Sequence, residues 1–302
     1  MRNLVPAIAG ELRIRDQGLL EQDVRLHRLL KAILDSPMGP DLVFKGGTCL
    51  TKCYLDYVRF SVDLDFTGRN QGNWAQVNTK QVPNATRAAR HAWADALGAA
   101  AKELGYDFAR REIVWGSNSR MGTAQLRYRN LAGEPAVIKI QVNFVEPFLF
   151  KPVKRSVRTL ISDSDSKALR LLDGPDMEAY REHYSLDCYD AREIAAEKVR
   201  AVLTRTAAKG RDMLDLYLLE RDFKITPEGL ETEIRAKLAF ALSLGEKYQR
   251  NLDDAHTRFD ALAAWDARVL LLKDIDLTDF DKHRRRILKF AARFLPAKPS
   301  EP

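Results

Sequence analysis

The stretch KGGTCLTKCYLDYVRFSVDLDF, residues 45–66, decides the reading of this chain. It follows Leu42-Val43-Phe44, a short apolar run with the character of a buried strand. Lys45-Gly46-Gly47-Thr48 is then a turn, and residues 48–57 read as a short helix. Ser61-Val62-Asp63-Leu64-Asp65-Phe66 alternates polar and apolar residues, as a half-buried strand does. Side chains two apart on a strand point to one face, so Asp63 and Asp65 project together and can share a hard cation. Mg²⁺ prefers oxygen ligands and keeps water or phosphate oxygens in its remaining positions. Glycines let a backbone approach a triphosphate, and N–H groups at a helix start offer donors to an anion. Two carboxylates for Mg²⁺ or Mn²⁺, beside an NTP cradle of Lys45, Gly46, Gly47, Thr48 and Ser61, are the equipment of nucleotidyl transfer. Asp-x-Asp or Gly-Gly alone is a weak signal, whereas strand, glycine turn, helix and acidic strand in succession is far more specific. The plainer alternative is a turn followed by two surface aspartates.

Outward from this stretch, residues 19–35 carry apolar side chains at helical spacing, and Pro37 and Pro40 end that helix. Residues 68–83 are polar and turn-rich, hence a loop. Residues 84–104 are alanine-rich and helical, with Asn84 as the expected N-cap. Strand-like runs follow at 111–115, 123–128 and 136–145. From about residue 186 the patterning is helical, over 187–206, 211–221, 226–243, 255–273 and 278–294. The expected class is α+β, a small mixed sheet with helices followed by a helical domain. The stretch 155–185 is rich in serine, aspartate and turn residues, so the division is drawn between 1–160 and 161–302.

In the 302 residues, 45% are hydrophobic and 30% charged, which fits a globular protein and excludes a disordered or collagen-like chain. No apolar run nears the roughly 20 residues that span a bilayer. The first residues turn charged by Glu11 and lack a signal-peptide core, so a cytoplasmic protein is expected. Cys49, Cys53 and Cys188 form no even disulfide framework and read as reduced thiols. Cys49 and Cys53 lie one helical turn apart, but no further Cys/His pair completes a zinc set, so they read as buried helix positions. The five histidines are scattered, and no nucleophile signature accompanies them. Trp74, Trp93, Trp115 and Trp265 read as core or rim residues. The net charge of +7 is concentrated at Lys151, Lys154, Arg155 and Arg158, and at Lys282, Arg284, Arg285, Arg286, Lys289 and Arg293. Clustered positive charge suits a polyanion such as RNA, although a solvated basic face needs no partner.

The glycine turn and the Asp-x-Asp strand resemble the polymerase-beta-like nucleotidyltransferase superfamily. Phe44-Lys45-Gly46-Gly47-Thr48 with Arg59-Phe60-Ser61-Val62-Asp63-Leu64-Asp65-Phe66 resembles, more narrowly, the AbiEii/AbiGii toxin family that includes the MenT-like toxins. Glu197-Lys198, Arg205 and Arg211-Asp212-Met213-Leu214-Asp215-Leu216-Tyr217 resemble that family's later motifs. Read without the family, Asp212 and Asp215 are three apart on one helix face, and Lys198, Arg205 and Arg211 can pair with them or with phosphates. A helix–helix salt-bridge network is the plainer alternative.

The resemblance implies transfer of NMP from an NTP to an RNA acceptor, the tRNA 3′ end, by the toxin of a toxin–antitoxin or phage-defence pair. A cognate antitoxin is then the implied protein partner. Nucleotidylation of a protein or small-molecule hydroxyl, or an inactive nucleotide- or RNA-binding module, are the alternatives. The expected catalytic set is Asp63, Asp65, Lys198, Asp212 and Asp215, with Arg211 joining the nucleotide site. One departure stands out. Gln141 and Asn143 occupy the strand where the superfamily carries a third carboxylate, with Glu146 nearby but out of position. Glu21-Gln22-Asp23 resembles a Glu-Lys-Asp element of the family, with Gln22 in place of lysine.

Overall fold

A computed structural model describes residues 1–70, 80–164, 166–207, 209–263 and 271–296. Trp74, Trp265 and part of the expected helix 255–273 lie outside the described residues. The chain divides into two compact units, Met1–Tyr189 and Asp190–Pro302. The division falls after the stretch drawn from sequence as the boundary, and the reason is strand pairing within 153–188, given below.

The first unit opens with α1 (Leu4–Leu12) and α2 (Gln17–Leu34), the latter capped by Asp16, whose side chain accepts from the Leu19 N–H. Leu20, Val24, Leu26, Leu29, Leu30 and Ile33 of α2 are all fully buried, as the 3.6-residue stripe predicts. Strand β1 (Leu42–Lys45) runs into α3 (Gly46–Cys53), and β2 (Asp63–Gly68) returns antiparallel to β1. A single turn, α4 (Val82–Ala85), precedes α5 (Arg87–Leu104). Asn84 does not cap α5; its side chain accepts from Arg87 instead. The long helix buries Trp93, Leu97 and Ala100, while Trp115 on β3 (Val114–Gly116) is half-buried with its ring centroid 5.8 Å from that of Trp93. The next strands are β4 (Met121–Arg129) and β5 (Pro135–Asn143), and residues 110–112 form a 3-10 turn rather than the start of a strand.

Two further strands, β6 (Val153–Ser156) and β7 (Ser185–Cys188), sit at the two ends of the stretch read from sequence as interdomain. Between them are α6 (Lys167–Arg170) and α7 (Pro175–Arg181). β6 pairs antiparallel with β7, and β7 pairs parallel with β1 at Phe44 and Cys188. Four-residue strands with mixed polarity leave little periodic signal, which is why composition alone read this stretch as a boundary. The sheet order is β3-β4-β5-β2-β1-β7-β6, with β2 parallel to β5, so the sheet is mixed. Its central strands bury Phe44, Leu64, Phe66, Ile138, Ile140 and Val142 completely.

The second unit is helical among its described residues. It comprises α8 (Ala191–Thr204), α9 (Gly210–Phe223), α10 (Glu231–Ser243), α11 (Glu246–Asp253), α12 (Ala255–Ala263) and α13 (Leu277–Ala291). Asp190 caps α8 and Asp276 caps α13 through their carboxylates. Its core gathers Ile194, Leu203, Met213, Leu214, Leu218, Leu219, Ile234 and Ile287. The fold is α+β, a mixed seven-stranded sheet with helices and a helical unit after it.

Candidate active site

In the first unit the acidic strand meets the glycine turn. Asp63 and Asp65 are half-buried, whereas Leu64 and Phe66 between and after them are fully buried. The strand therefore turns its two carboxylates away from the core and toward one face. In register with them, β5 sets Lys139 beside Asp63 and Gln141 beside Asp65, so that face also carries an ammonium and an amide. Gln141 donates to Thr123 Oγ1 at 3.0 Å.

The two glycines are required by this geometry. Gly46 has φ +79°, a conformation that L side chains rarely adopt, and a Cβ there would collide with Asp65 Oδ2. A Cβ on Gly47 would lie 2.8 Å from Arg59 Nη2 and 3.0 Å from Ser61 Oγ. The glycines thus let Asp65, Arg59 and Ser61 close onto the first turn of α3. Thr48 Oγ1 donates to Ser61 Oγ at 2.9 Å and contacts the Asp63 carbonyl, which ties the helix start to the acidic strand. Gly46, Gly47, Thr48, Ser61, Asp63 and Asp65 come together as the spacing predicts. Arg59, 1% exposed and donating to the Phe60 carbonyl at 2.6 Å, is a member of this cluster that the sequence quoted but assigned no role.

Lys45 stands differently from expectation. It is buried, its ammonium ion-pairs with Glu146, and Glu146 also accepts from Asn143 Nδ2. Antiparallel pairing sets Lys45 opposite Asp65. The acid that sequence reading placed out of position is therefore folded back onto the edge of the site, where Lys45 matches its charge. The acids of the Glu21-Gln22-Asp23 element turn into the core. Asp23 binds Lys52 Nζ at 2.8 Å and accepts from Tyr180 Oη at 2.6 Å, and Glu21 accepts from Arg25 and from the Leu131 N–H. Both acids are 2% exposed and act in packing.

In the second unit Lys198 of α8 reaches Asp212 Oδ1 at 3.0 Å and also ion-pairs with Asp215, both on the same face of α9. Arg205 pairs with the other oxygen of Asp212. Lys198, Asp212 and Asp215 are 8%, 3% and 0% exposed. Burial pushes the Asp212 carboxyl up, but Lys198 and Arg205 outweigh it, with Arg211 adding to them, and hold it at about 2. Lys237 of α10 makes a second buried pair with Glu193, beside Glu197.

The basic segments divide into solvated and neutralised residues. Lys151, Lys154 and Arg155 are exposed, with the Arg155 guanidinium 4.7 Å over the Tyr54 ring. Arg158 is held by Asp163, five residues on, and by Asp56, which is distant in sequence. In α13 and beyond, Arg284 is buried against Asp281, Arg286 pairs with Glu220 and Glu228, and Arg293 pairs with Glu231. Half of that second cluster is thus internal charge matching, while Lys282, Arg285 and Lys289 face solvent.

Two oxygen-donor carboxylates on one face, with the backbone of a helix start beside them, fit a hard divalent cation whose other ligands come from water or phosphate. No described helix is long and apolar enough to cross a membrane. No curated protein matches the chain in sequence. Among solved structures, MenT4, a nucleotidyltransferase toxin from Mycobacterium tuberculosis H37Rv, is similar over 98% of this chain and 91% of its own, with a TM-score of 0.50 and 20% identity. That likeness carries the fold. Residues 28–302 match the family described as "Nucleotidyl transferase AbiEii toxin, Type IV TA system". That match spans both the acidic strand with its glycine turn and the buried Lys198–Asp212–Asp215 cluster, and the chain belongs to the AbiEii family of nucleotidyltransferase toxins.

Proposed function

We propose that this toxin transfers a nucleoside monophosphate from an NTP to the 3′ end of an RNA, a tRNA, in the cytoplasm, and that a cognate antitoxin restrains it. The observation that carries the reading is the meeting of Asp63 and Asp65 with the Gly46-Gly47-Thr48 turn at the start of α3. Asp63 and Asp65 would hold Mg²⁺ or Mn²⁺, which when bound neutralises phosphate charge and activates the attacking hydroxyl. The chain's own groups do the rest. The N–H groups of the α3 start and the Ser61 hydroxyl orient phosphate oxygens, and Arg59 behind Gly47 adds fixed positive charge to that corner. The exposed Lys151, Lys154 and Arg155 support a polyanionic acceptor.

Lys198, Asp212, Asp215 and Arg211 are assigned to the same reaction. A carboxylate held at about 2 is ionised at neutral pH but has little affinity for a proton. Asp212 therefore suits orienting Lys198 better than accepting the proton of the attacking hydroxyl.

The test incubates the protein with each labelled NTP, Mg²⁺ and total tRNA, beside Asp63→Asn and Asp65→Asn. Label on tRNA that disappears in both variants, with melting unchanged, is the expected result. Label on protein or on a small molecule instead would move the acceptor, and binding without transfer would make the chain a binding module.

A further inference from the structure

The three cysteines, separate in sequence and unused by the chemistry above, converge in the first unit. Cys49 and Cys53 are four apart on α3 and so share one face. Cys188 ends β7, in register with Phe44 on the strand that leads into α3. A helix following β1 directly lies back over the β1–β7 pair, and its inner face meets Cys188. The three Sγ atoms lie within 4.8 Å of one another, and Cys49, Cys53 and Cys188 are 0%, 8% and 0% exposed.

We propose that Cys49, Cys53 and Cys188 are three ligands of a buried zinc site, with the Tyr54 hydroxyl as the fourth. The geometry of the donors fits. Zn–S bonds of about 2.3 Å in a tetrahedron set sulfurs roughly 3.8 Å apart, so the three thiols need close by about an ångström at most. A tetrahedral vertex occupied by oxygen lies roughly 3.5 Å from each sulfur, given a Zn–O bond of about 2.0 Å. Tyr54 Oη stands 3.8 Å from Cys188 Sγ. The same hydroxyl donates to the Tyr189 carbonyl at 2.6 Å, which fixes the ring with its oxygen beside Cys188.

The charge balance also favours a divalent ion. A cysteine binds a metal as its thiolate, so the three sulfurs would supply three negative charges. A divalent ion bound in place of the thiol protons would leave a net charge of minus one. Arg155, stacked over Tyr54, lies on hand to offset it. A monovalent ion in the same three thiolates would leave minus two, a far costlier charge to bury.

The site ties α3 to β7 across β1, immediately behind the turn that carries Gly46 and Gly47. Its ligands come from an i, i+4 pair and a residue far along the chain, so no sequence motif announces it.

The experiment uses the full chain, reduced and stripped with chelator, and titrates it with Zn²⁺ against a chromophoric competitor and with Co²⁺ as a spectroscopic probe. Expected are one ion per chain, the visible bands of tetrahedral Co²⁺ with a sulfur-to-cobalt charge-transfer band, and protection of all three cysteines from alkylation together. Outer-sphere losses alone cost about 10–100-fold in affinity, so Cys188→Ser and Cys53→Ser should each weaken Zn²⁺ binding by about 100-fold or more. Tyr54→Phe should bind more weakly and change the Co²⁺ visible spectrum while keeping the sulfur band. Absence of stoichiometric binding, or of the sulfur-to-cobalt band, in the wild-type chain overturns the proposal without any variant. So does undiminished binding in folded Cys188→Ser.

Discussion

Lys198→Met separates the structural from the chemical role of the buried cluster in the helical unit. Methionine keeps the length of the side chain and removes the ammonium. In the wild type that ammonium serves two carboxylates, Asp212 Oδ1 at 3.0 Å and Asp215, on residues 3% and 0% exposed. At an effective dielectric of about 20, one such contact at 3 Å is worth about 5 kcal/mol before desolvation. Lysine desolvation returns part of this, and Arg205 still serves Asp212 in the variant. The net expectation is a loss of about 3–5 kcal/mol, the range for a buried pair deprived of one partner. The Asp215 carboxylate, deprived of the Lys198 ammonium, should then favour its protonated form more than in the wild type, so the variant's deficit relative to wild type should shrink as pH falls from 8 to 5. Adding Asp215→Asn to Lys198→Met removes the charge that Lys198 had balanced and should restore much of the loss. The assay is urea denaturation followed by circular dichroism at both pH values, with transfer activity measured on the fraction still folded. A Lys198→Met protein within 1 kcal/mol of wild type, with no pH-dependent recovery, would refute the argument that these charges are mutually dependent.

Three further outcomes follow from particular contacts. Gly46→Ala strains a residue at φ +79° and drives a methyl into Asp65, so it should cost about 1–3 kcal/mol and cut transfer further than Gly98→Ala, whose added methyl meets nothing within 4 Å. His27 is buried between Tyr180 and Tyr184, and burial, with Lys52 nearby, lowers its pKa from 6.5 to about 3. The unfolded chain thus binds a proton that the folded chain refuses, so stability falls as pH drops below 6.5, and His27→Phe should lose about 2–3 kcal/mol less than wild type between about pH 7 and pH 4.5 in urea titrations. Neutralising Lys151, Lys154 and Arg155 together should raise the apparent KM for RNA and flatten its log–log salt slope by about 2, against little change for Arg158→Gln. An unmoved slope in the triple variant would make those side chains a solvated face.

What was legible in the sequence follows from how local each signal is. The turn and Asp-x-Asp strand are contiguous, so alternation and glycine placement were enough to bring Asp63, Asp65, Gly46 and Thr48 together. The short α11 was not read and α12 ends at Ala263 among the described residues, whereas helices α8, α9, α10 and α13 announce themselves by periodicity, within about five residues at their ends. The two strands β6 and β7 did not, because each is four residues long and takes its identity from its partner. The same is true of side-chain pairing. Nothing near Arg158 shows that Asp56 holds it, and nothing near Glu146 shows that Lys45 draws it back toward the acidic strand. Asp23 read as part of a family element, and the structure spends it on Lys52, Tyr57 and Tyr180 in the core.

The position of the missing third acid has a physical consequence for the chemistry. On β5 the side chains in register with the acidic strand are Lys139, Gln141 and Asn143, and none of them is a carboxylate. Gln141 is engaged with Thr123, and Asn143 helps hold Glu146 against Lys45. Glu146 is thus close in the fold, but its charge is already matched by the buried Lys45 ammonium. Asp212 in the helical unit is matched in the same way and held at about 2. Each of these acids is stabilised as an anion by a cation placed for that purpose. Groups of this kind fix positions and fields more readily than they exchange protons. On the proposed reaction, the attacking hydroxyl would then lose its proton to phosphate or solvent under the influence of the bound cation. The amides of β5 need no acidic replacement in such a site, since their work is to hold Thr123 and Glu146 where the face requires them.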